Sequence, residues 1–277
     1  MAVFGVVAFH SPVPGSDFAY AGLVVFVVLS PLVDVQYNWQ RRRSPRDLAK
    51  TLLLPWAAWF CIYGVLRVLG GRSLLRGSRD IVSVLLEGPA PHLWFLPFIF
   101  VVLVLLNAVK DRVEERMALL ISGIVAVLLM VTVGFWRSWE LGPPWGRWMH
   151  ALPLVFVGTT LGLASRVPKS YLVLAPVLSA VAFVGTANIA GVSVPYALGV
   201  ALVVLAAWLG PRLPSRFDVE ALSRCVMGTY LVHVAWLTIS WPLLVRFGYP
   251  AVVAAYLVAL GSVYAARRYV PRLRIVL

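Results

Sequence analysis

Long apolar runs, parted by short charged turns, are what most constrain this chain. Bounded by charge, Pro and Gly, nine runs approach the length of a bilayer crossing. They lie at residues 18–35, 51–70, 92–109, 117–136, 149–165, 170–187, 191–209, 222–241 and 249–266. A helix needs roughly 20 apolar residues to traverse a hydrocarbon core of about 30 Å. The opening MAVFGVVAFHSP is a tenth run of half the length, since about ten helical residues rise only about 15 Å. Water could not cover so much apolar surface. The chain is 61% hydrophobic and 13% charged, with a mean hydropathy of +0.89, whereas a soluble domain is about half apolar and about a quarter charged. The expected fold is an all-α integral membrane protein. It is a single domain over residues 1–277, a bundle of about ten transmembrane helices with the first one short.

The net charge of +13 would point to nucleic acid in a soluble protein. Here it reads as orientation. If residue 1 starts on the cytoplasmic side and every run crosses, the cytoplasmic turns hold 17 of the 24 Lys and Arg residues and the outer turns hold 7. That asymmetry is the positive-inside pattern. It predicts a multi-pass protein of the plasma (inner) membrane with both termini cytoplasmic, and it removes the need for a nucleic-acid partner. Residues 67–91 are discordant, with Arg67, Arg72, Arg76 and Arg79 on the outer side. Trp136, Trp139, Trp145, Trp148 and Trp241 fall at the outer boundary, where an aromatic belt belongs. RSWELGPPWGRW (137–148) reads as a fixed outer turn, given its Gly-Pro-Pro. Cys61 and Cys225 lack metal-ligand spacing and read as buried thiols.

The four histidines all fall toward the outer side of this topology. His10 ends the first run, His92 and His150 begin later ones, and His233 lies near the middle of the ninth. Ionisable groups within a span usually face the bundle interior or a wet cavity. Taken singly, each imidazole is explained by an interface or a neighbouring carbonyl. Taken together, four imidazoles in one half suit a common cavity. Histidine is the natural base for removing a hydroxyl proton near neutral pH. Asp17, Glu87 and Glu140 are the outer acids that could orient it, or simply be solvated loop charges. No HxxxH or HxH pair favours a metal. RRRSPRDLAK (41–50) is explained by positive-inside anchoring, and it also suits a phosphate clamp for a cytoplasmic nucleotide-bearing donor such as CoA. No Walker loop or GxGxxG supports ATP or NAD chemistry.

Five stretches then carry a family resemblance. VFGVVAFHS (3–11) resembles the end of a first helix in which a catalytic histidine closes an Arg-x10-His pattern. FVVLS (26–30) resembles an FFxxSG stretch, HLWFL (92–96) a fourth-helix signature, LPLVFVGTTLG (152–162) an LPFFxxG pattern, and LSRCVMGTYLVH (222–233) a late S-x-G-x-Y-L-x-H pattern. VPRL (270–273) fits the usual ending. The chain resembles the acyltransferase 3 family, fucose 4-O-acetylase-like proteins that move acetyl or other short acyl groups onto carbohydrates and lipid-linked or surface glycans. The resemblance implies His10 as catalytic base and His92 as its companion on the carbohydrate side. Trp94, Ser30, Tyr230, His233 and Glu87 would meet the acceptor, and Arg41, Arg42 and Arg43 would meet the acyl-CoA co-substrate. It implies no bound cofactor and no metal. Two departures stand out. The Arg of the first pattern would fall upstream of Met1, which fits either a start further upstream or a member that has lost that residue. Pro31 also replaces the glycine after Ser30. The readings carried forward are an O-acetyltransferase acting on a carbohydrate or glycolipid, with a glycan or lipid transporter, or an inactive family member, as alternatives.

Overall fold

A computed structural model describes residues 2–41, 43–74, 80–189, 191–212 and 220–277. Arg42, Arg76, Arg79 and Arg216 lie outside the described residues. Among those described, every regular element is helical. In chain order they are α1 (Ala2–Phe9), α2 (Ala21–Asn38), α3 (Pro45–Leu48), α4 (Leu54–Leu69), α5 (Ile81–Glu87), α6 (Phe95–Lys110), α7 (Glu115–Val131), α8 (Val133–Arg137), α9 (Trp145–Ala164), α10 (Tyr171–Thr186), α11 (Ser193–Leu209), α12 (Glu220–Ser223), α13 (Val226–Phe247) and α14 (Tyr249–Tyr269). Four helical segments are long and apolar enough to cross a membrane: Ser16–Asn38, Pro45–Leu69, Val226–Phe247 and Tyr249–Tyr269. Phe95–Lys110, Tyr171–Thr186 and Ser193–Leu209 are shorter apolar helices.

Helix boundaries depart from the apolar runs for local reasons. The segment opening at α3 begins six residues before its run because Ser44 caps it, accepting from Asp47 N at 3.1 Å, with Pro45 in the first turn, where its missing N–H costs nothing. A π-helical turn, Ala49–Leu53, joins α3 to α4. The run at 92–109 gives up its first three residues to a turn, so His92 precedes α6. Asp80, whose side chain accepts from Ser83 N at 2.8 Å, starts the short helix α5 between α4 and α6, an element that apolar-run counting passes over. The Pro143–Pro144 peptide is cis.

The bundle is organised around α2, which packs most extensively against α9 and also touches α1, α6 and α11. Glycines bring these backbones close. A Cβ on Gly158 of α9 would stand 2.2 Å from Val28 O, and one on Gly162 2.7 Å from Leu32 O. A Cβ on Gly22 of α2 would stand 2.4 Å from Ala2 O of α1. Small residues at helix contacts are the usual means of close packing in lipid, where apolar burial alone gives little drive to associate.

At the end of the bundle rich in Lys and Arg, the basic end, Lys110 Nζ meets Asp34 Oδ2 at 2.5 Å, with side-chain exposures of 1% and 3%. The same ammonium donates to Asp34 O at 3.3 Å and Asn38 O at 3.2 Å, so it ties the last turn of α2 to the end of α6. Lys110 is therefore a buried partner of α2 and not the loop charge its position suggests. Arg166 likewise bonds Glu115 at 2.8 Å and Gln36 O at 3.1 Å. Two further expectations are corrected. Trp136 is buried, its Nε1 donating to Leu129 O at 3.0 Å, and Trp148 packs against the core, while Trp139, Trp145 and Trp241 remain exposed. Cys225 is buried, but Cys61, in α4, is exposed.

Two outcomes test this packing. Gly158→Val should lower the melting temperature of the detergent-purified protein well beyond Gly134→Val, where a Cβ has only Ile189 Cδ1 within 4 Å, because overpacking a tight contact costs about 1–3 kcal/mol. Lys110→Met should destabilise by about 3–5 kcal/mol, the usual cost of stranding one member of a buried ion pair. The double change Asp34→Leu, Lys110→Met should restore most of that loss in the same thermal assay.

Candidate functional site

At the opposite end, the histidine end, α1 stops at Phe9 and leaves His10 on the following turn. There it faces α13, where GTYLVH places Tyr230 and His233 on one side of the helix, three residues apart. The loop carrying HLWFL folds inward before α6 starts. Leu93 and Leu96 are fully buried, and Ala90 and Trp94 nearly so. This burial carries His92 between α4 and α13. The ring centroids of His92 and His233 are 4.8 Å apart and those of His10 and His233 5.4 Å apart. Three of the four imidazoles thus form one cluster, with His233 between the other two.

Hydroxyls hold the cluster in place by bonding to backbone. Tyr230 Oη donates to His92 O at 2.5 Å, and Tyr63 Oη donates to Leu231 O at 2.7 Å. Both rings also stand edge-on to the His92 ring, at 5.3 and 5.4 Å. His233 Nδ1 lies 2.5 Å from Tyr230 O. A carbonyl only accepts, so Nδ1 carries the hydrogen and Nε2 is the basic nitrogen of the neutral ring. Neither ring nitrogen of His92, nor His233 Nε2, has a hydrogen-bond partner among the described residues. Such groups are rare in an interior unless something else bonds them.

A cavity of about 270 Å3 opens onto this cluster, lined by His10, His92, Trp94, Tyr230, Tyr20 and Arg147 among others. Arg147 is fixed at its rim. Its Nη1 donates to Pro91 O at 3.1 Å, and its Nη2 lies 3.5 Å from Glu87 Oε1. A wider cavity of about 550 Å3 adjoins it, sharing Phe9, Tyr20 and Arg147, and adds Asp17, Arg137 and His150. Among the described residues, no group of three His, Cys, Asp or Glu side chains is disposed to hold a metal ion.

The positions read from the sequence divide accordingly. His10, His92, Trp94 and Tyr230 meet at the smaller cavity, and His233 backs it. His150 stands apart. Its ring packs between Tyr20 and Tyr196, at 5.2 Å from each, so three of the four imidazoles line two adjoining cavities while His233 lies behind the smaller one. Glu87 reaches the site through Arg147. Asp17 lines the wider cavity, and Glu140 sits exposed on the loop before α9. Ser30 turns its hydroxyl onto Phe26 O at 2.8 Å and is not among the cavity-lining residues. Arg41 and Arg43 lie at the basic end. At about 1.5 Å rise per residue, Asn38 alone is about 18 Å along α2 from Phe26, which packs on Tyr230. Arg43 is half-buried, 3.4 Å from Thr51 Oγ1. Arg147, Tyr63 and Tyr20 were not singled out from the sequence. For Arg147 the available signal was an arginine on the side that the positive-inside pattern leaves poor in charge.

The family model for the acyltransferase 3 domain matches residues 1–267. The chain belongs to this family. It is an integral membrane protein and an acyltransferase. No match is found among curated proteins or among solved structures.

Tyr230→Phe would leave His92 O without its hydroxyl donor while keeping the ring contacts. The expected cost is about 1 kcal/mol, read as a drop of a few degrees in melting temperature. Tyr264→Phe, whose hydroxyl stands on an exposed position, should show no such drop.

Proposed function

We propose that the protein moves an acetyl or other short acyl group from acyl-CoA to a carbohydrate hydroxyl, on a free, lipid-linked or polymeric glycan. The observation that carries this reading is the cluster of His10, His92 and His233 beside a cavity, with both ring nitrogens of His92 and Nε2 of His233 unbonded among the described residues. In the reaction, the acceptor oxygen attacks the thioester carbonyl carbon. His10 takes the hydroxyl proton, the carbon–sulfur bond breaks, and the thiolate leaves with a proton as CoA-SH. The products are an ester and the free thiol. His92 holds the acceptor hydroxyl or the developing oxyanion. Tyr230, its own proton committed to His92 O, acts by fixing the His92 turn. Trp94 gives the sugar an apolar wall.

We further propose the ten-crossing topology, with the basic end cytoplasmic and the histidine end outward, in the plasma membrane. Arg41, Arg42 and Arg43 would then meet the phosphates of the donor, with Arg forks suited to them. The acyl group has to travel from there to the histidines. The economical route is for the pantetheine arm to reach up through the bundle, so that a single attack completes the transfer.

The test uses sealed vesicles loaded with radiolabelled acetyl-CoA, with a panel of sugars outside. Label should appear in the outer acceptor. His10→Ala and His92→Ala should each lower transfer by about 10²–10⁴-fold, the range for a lost acid–base group. His150→Ala, outside the cluster, should lower it far less. Label confined to the vesicle interior in every arm, or full activity in His10→Ala, would overturn the reading.

A further inference from the structure

The arginines at the histidine end are not where a membrane protein places cations for orientation alone. On the topology proposed above, Lys and Arg belong at the basic end, and those at the opposite end call for another explanation. Two of the described ones, Arg137 and Arg147, line the wider cavity together with His150. Asp17 is the one carboxylate among the residues lining that cavity. The arginines reach it from separate elements. Arg137 ends α8, and its Nη2 would come within 3.9 Å of a Cβ on Gly191, another residue of the cavity wall. Arg147 lies in the first turn of α9 and is held by Pro91 O and Glu87. Because Arg147, Phe9 and Tyr20 belong to both cavities, a molecule lying across the boundary would have one part between two guanidinium groups and another part at His10 and His92. Together the two cavities, at about 270 and 550 Å3, reach the size of ordinary ligand sites.

We propose that the acceptor is an anionic glycan, its carboxylate or phosphate held by Arg137 and Arg147 in the wider cavity while a hydroxyl of the same or an adjacent sugar reaches His10 and His92. The proposal rests on the acyltransferase reading and narrows its substrate class. Guanidinium forks match the planar carboxylate and the phosphate oxygens better than they match neutral hydroxyls. Two guanidinium groups against the single Asp17 carboxylate in the wall favour an anionic over a neutral group there.

The experiment has two readouts. The first is kcat/KM for transfer from acetyl-CoA to matched acceptors: a glucose oligosaccharide, its glucuronate counterpart and its sugar-phosphate counterpart. The second is binding of the same three compounds to the detergent-purified His10→Ala protein, followed by quenching of tryptophan fluorescence, with Trp94 in the cavity wall. An anionic acceptor should exceed the neutral one at least tenfold in either readout. Arg137→Gln should cut that ratio at least tenfold, and Arg137→Lys should keep part of it. Preference for the uronate identifies an acidic polysaccharide, and preference for the phosphate identifies a phosphorylated or lipid-phosphate-linked sugar. Equal use and equal binding of neutral and anionic compounds, or a ratio unmoved in Arg137→Gln, would overturn the proposal. Should transfer fail with every acceptor while charge-selective binding persists, the acyltransferase chemistry is what falls, and the anionic site stands. Arg137 carries the test because Arg147 also braces Pro91, and its removal would disturb the His92 loop.

Discussion

The close approach of other backbones to α2 is the constraint on which the rest of the bundle depends. Inside a bilayer, apolar side chains gain little by leaving lipid for one another, so helices associate through tight van der Waals contact and polar links. Three helices meet α2 through glycine: α1 at Gly5 against Gly22, α9 at Gly158 and Gly162, and α11 at Gly199 against Val24. These contacts fix where α1 stands on α2. They fix the point at which α1 ends and His10 begins. They also fix Tyr20 and Leu23 at the top of α2 as walls of the cavity. A side chain at any of these glycines would push apart the frame that aligns the imidazoles.

Within that frame the polar groups are divided between structure and chemistry. The hydroxyls of Ser30, Tyr63 and Tyr230 are each committed to a main-chain carbonyl. One nitrogen of His233 is used in the same way. What is left unbonded among the described residues includes both nitrogens of His92 and the second nitrogen of His233. Buried polar atoms without partners carry a free-energy cost, and a sugar acceptor is rich in the hydroxyls that would relieve it. The arrangement is thus rigid where it bonds to itself and open where a hydroxyl would bind.

Much of this was legible in the sequence because apolar length and motif spacing report local structure directly. The helical class follows from the runs, and the shared face of Tyr230 and His233 follows from a spacing of three. HLWFL and GTYLVH marked the two segments that meet. Contacts between distant segments were not legible in the same way. Nothing local distinguishes Lys110, which closes on Asp34 across 76 positions, from a loop lysine. Ser30 reads as a site residue by motif, yet a serine inside a helix can spend its hydroxyl on the carbonyl four residues back. Arg147 reads as one more loop charge until the packing of α9 brings it against Pro91.

The two ends of the bundle handle charge in different ways, and the difference gives the molecule a direction. At the basic end, Lys110 is neutralised and sealed, and Arg166 is paired while 24% exposed. Lys110 is 1% exposed with Asp34 at 2.5 Å, and Arg166 is shared between Glu115 and Gln36 O. At the histidine end, Arg147 keeps 32% exposure, a longer 3.5 Å contact to Glu87, and a place in two cavities. A sealed pair contributes cohesion, because its field is spent on its partner. Charged side chains thus fasten helices at the basic end, while at the histidine end an arginine stands at the wall of the cavities that the imidazoles line.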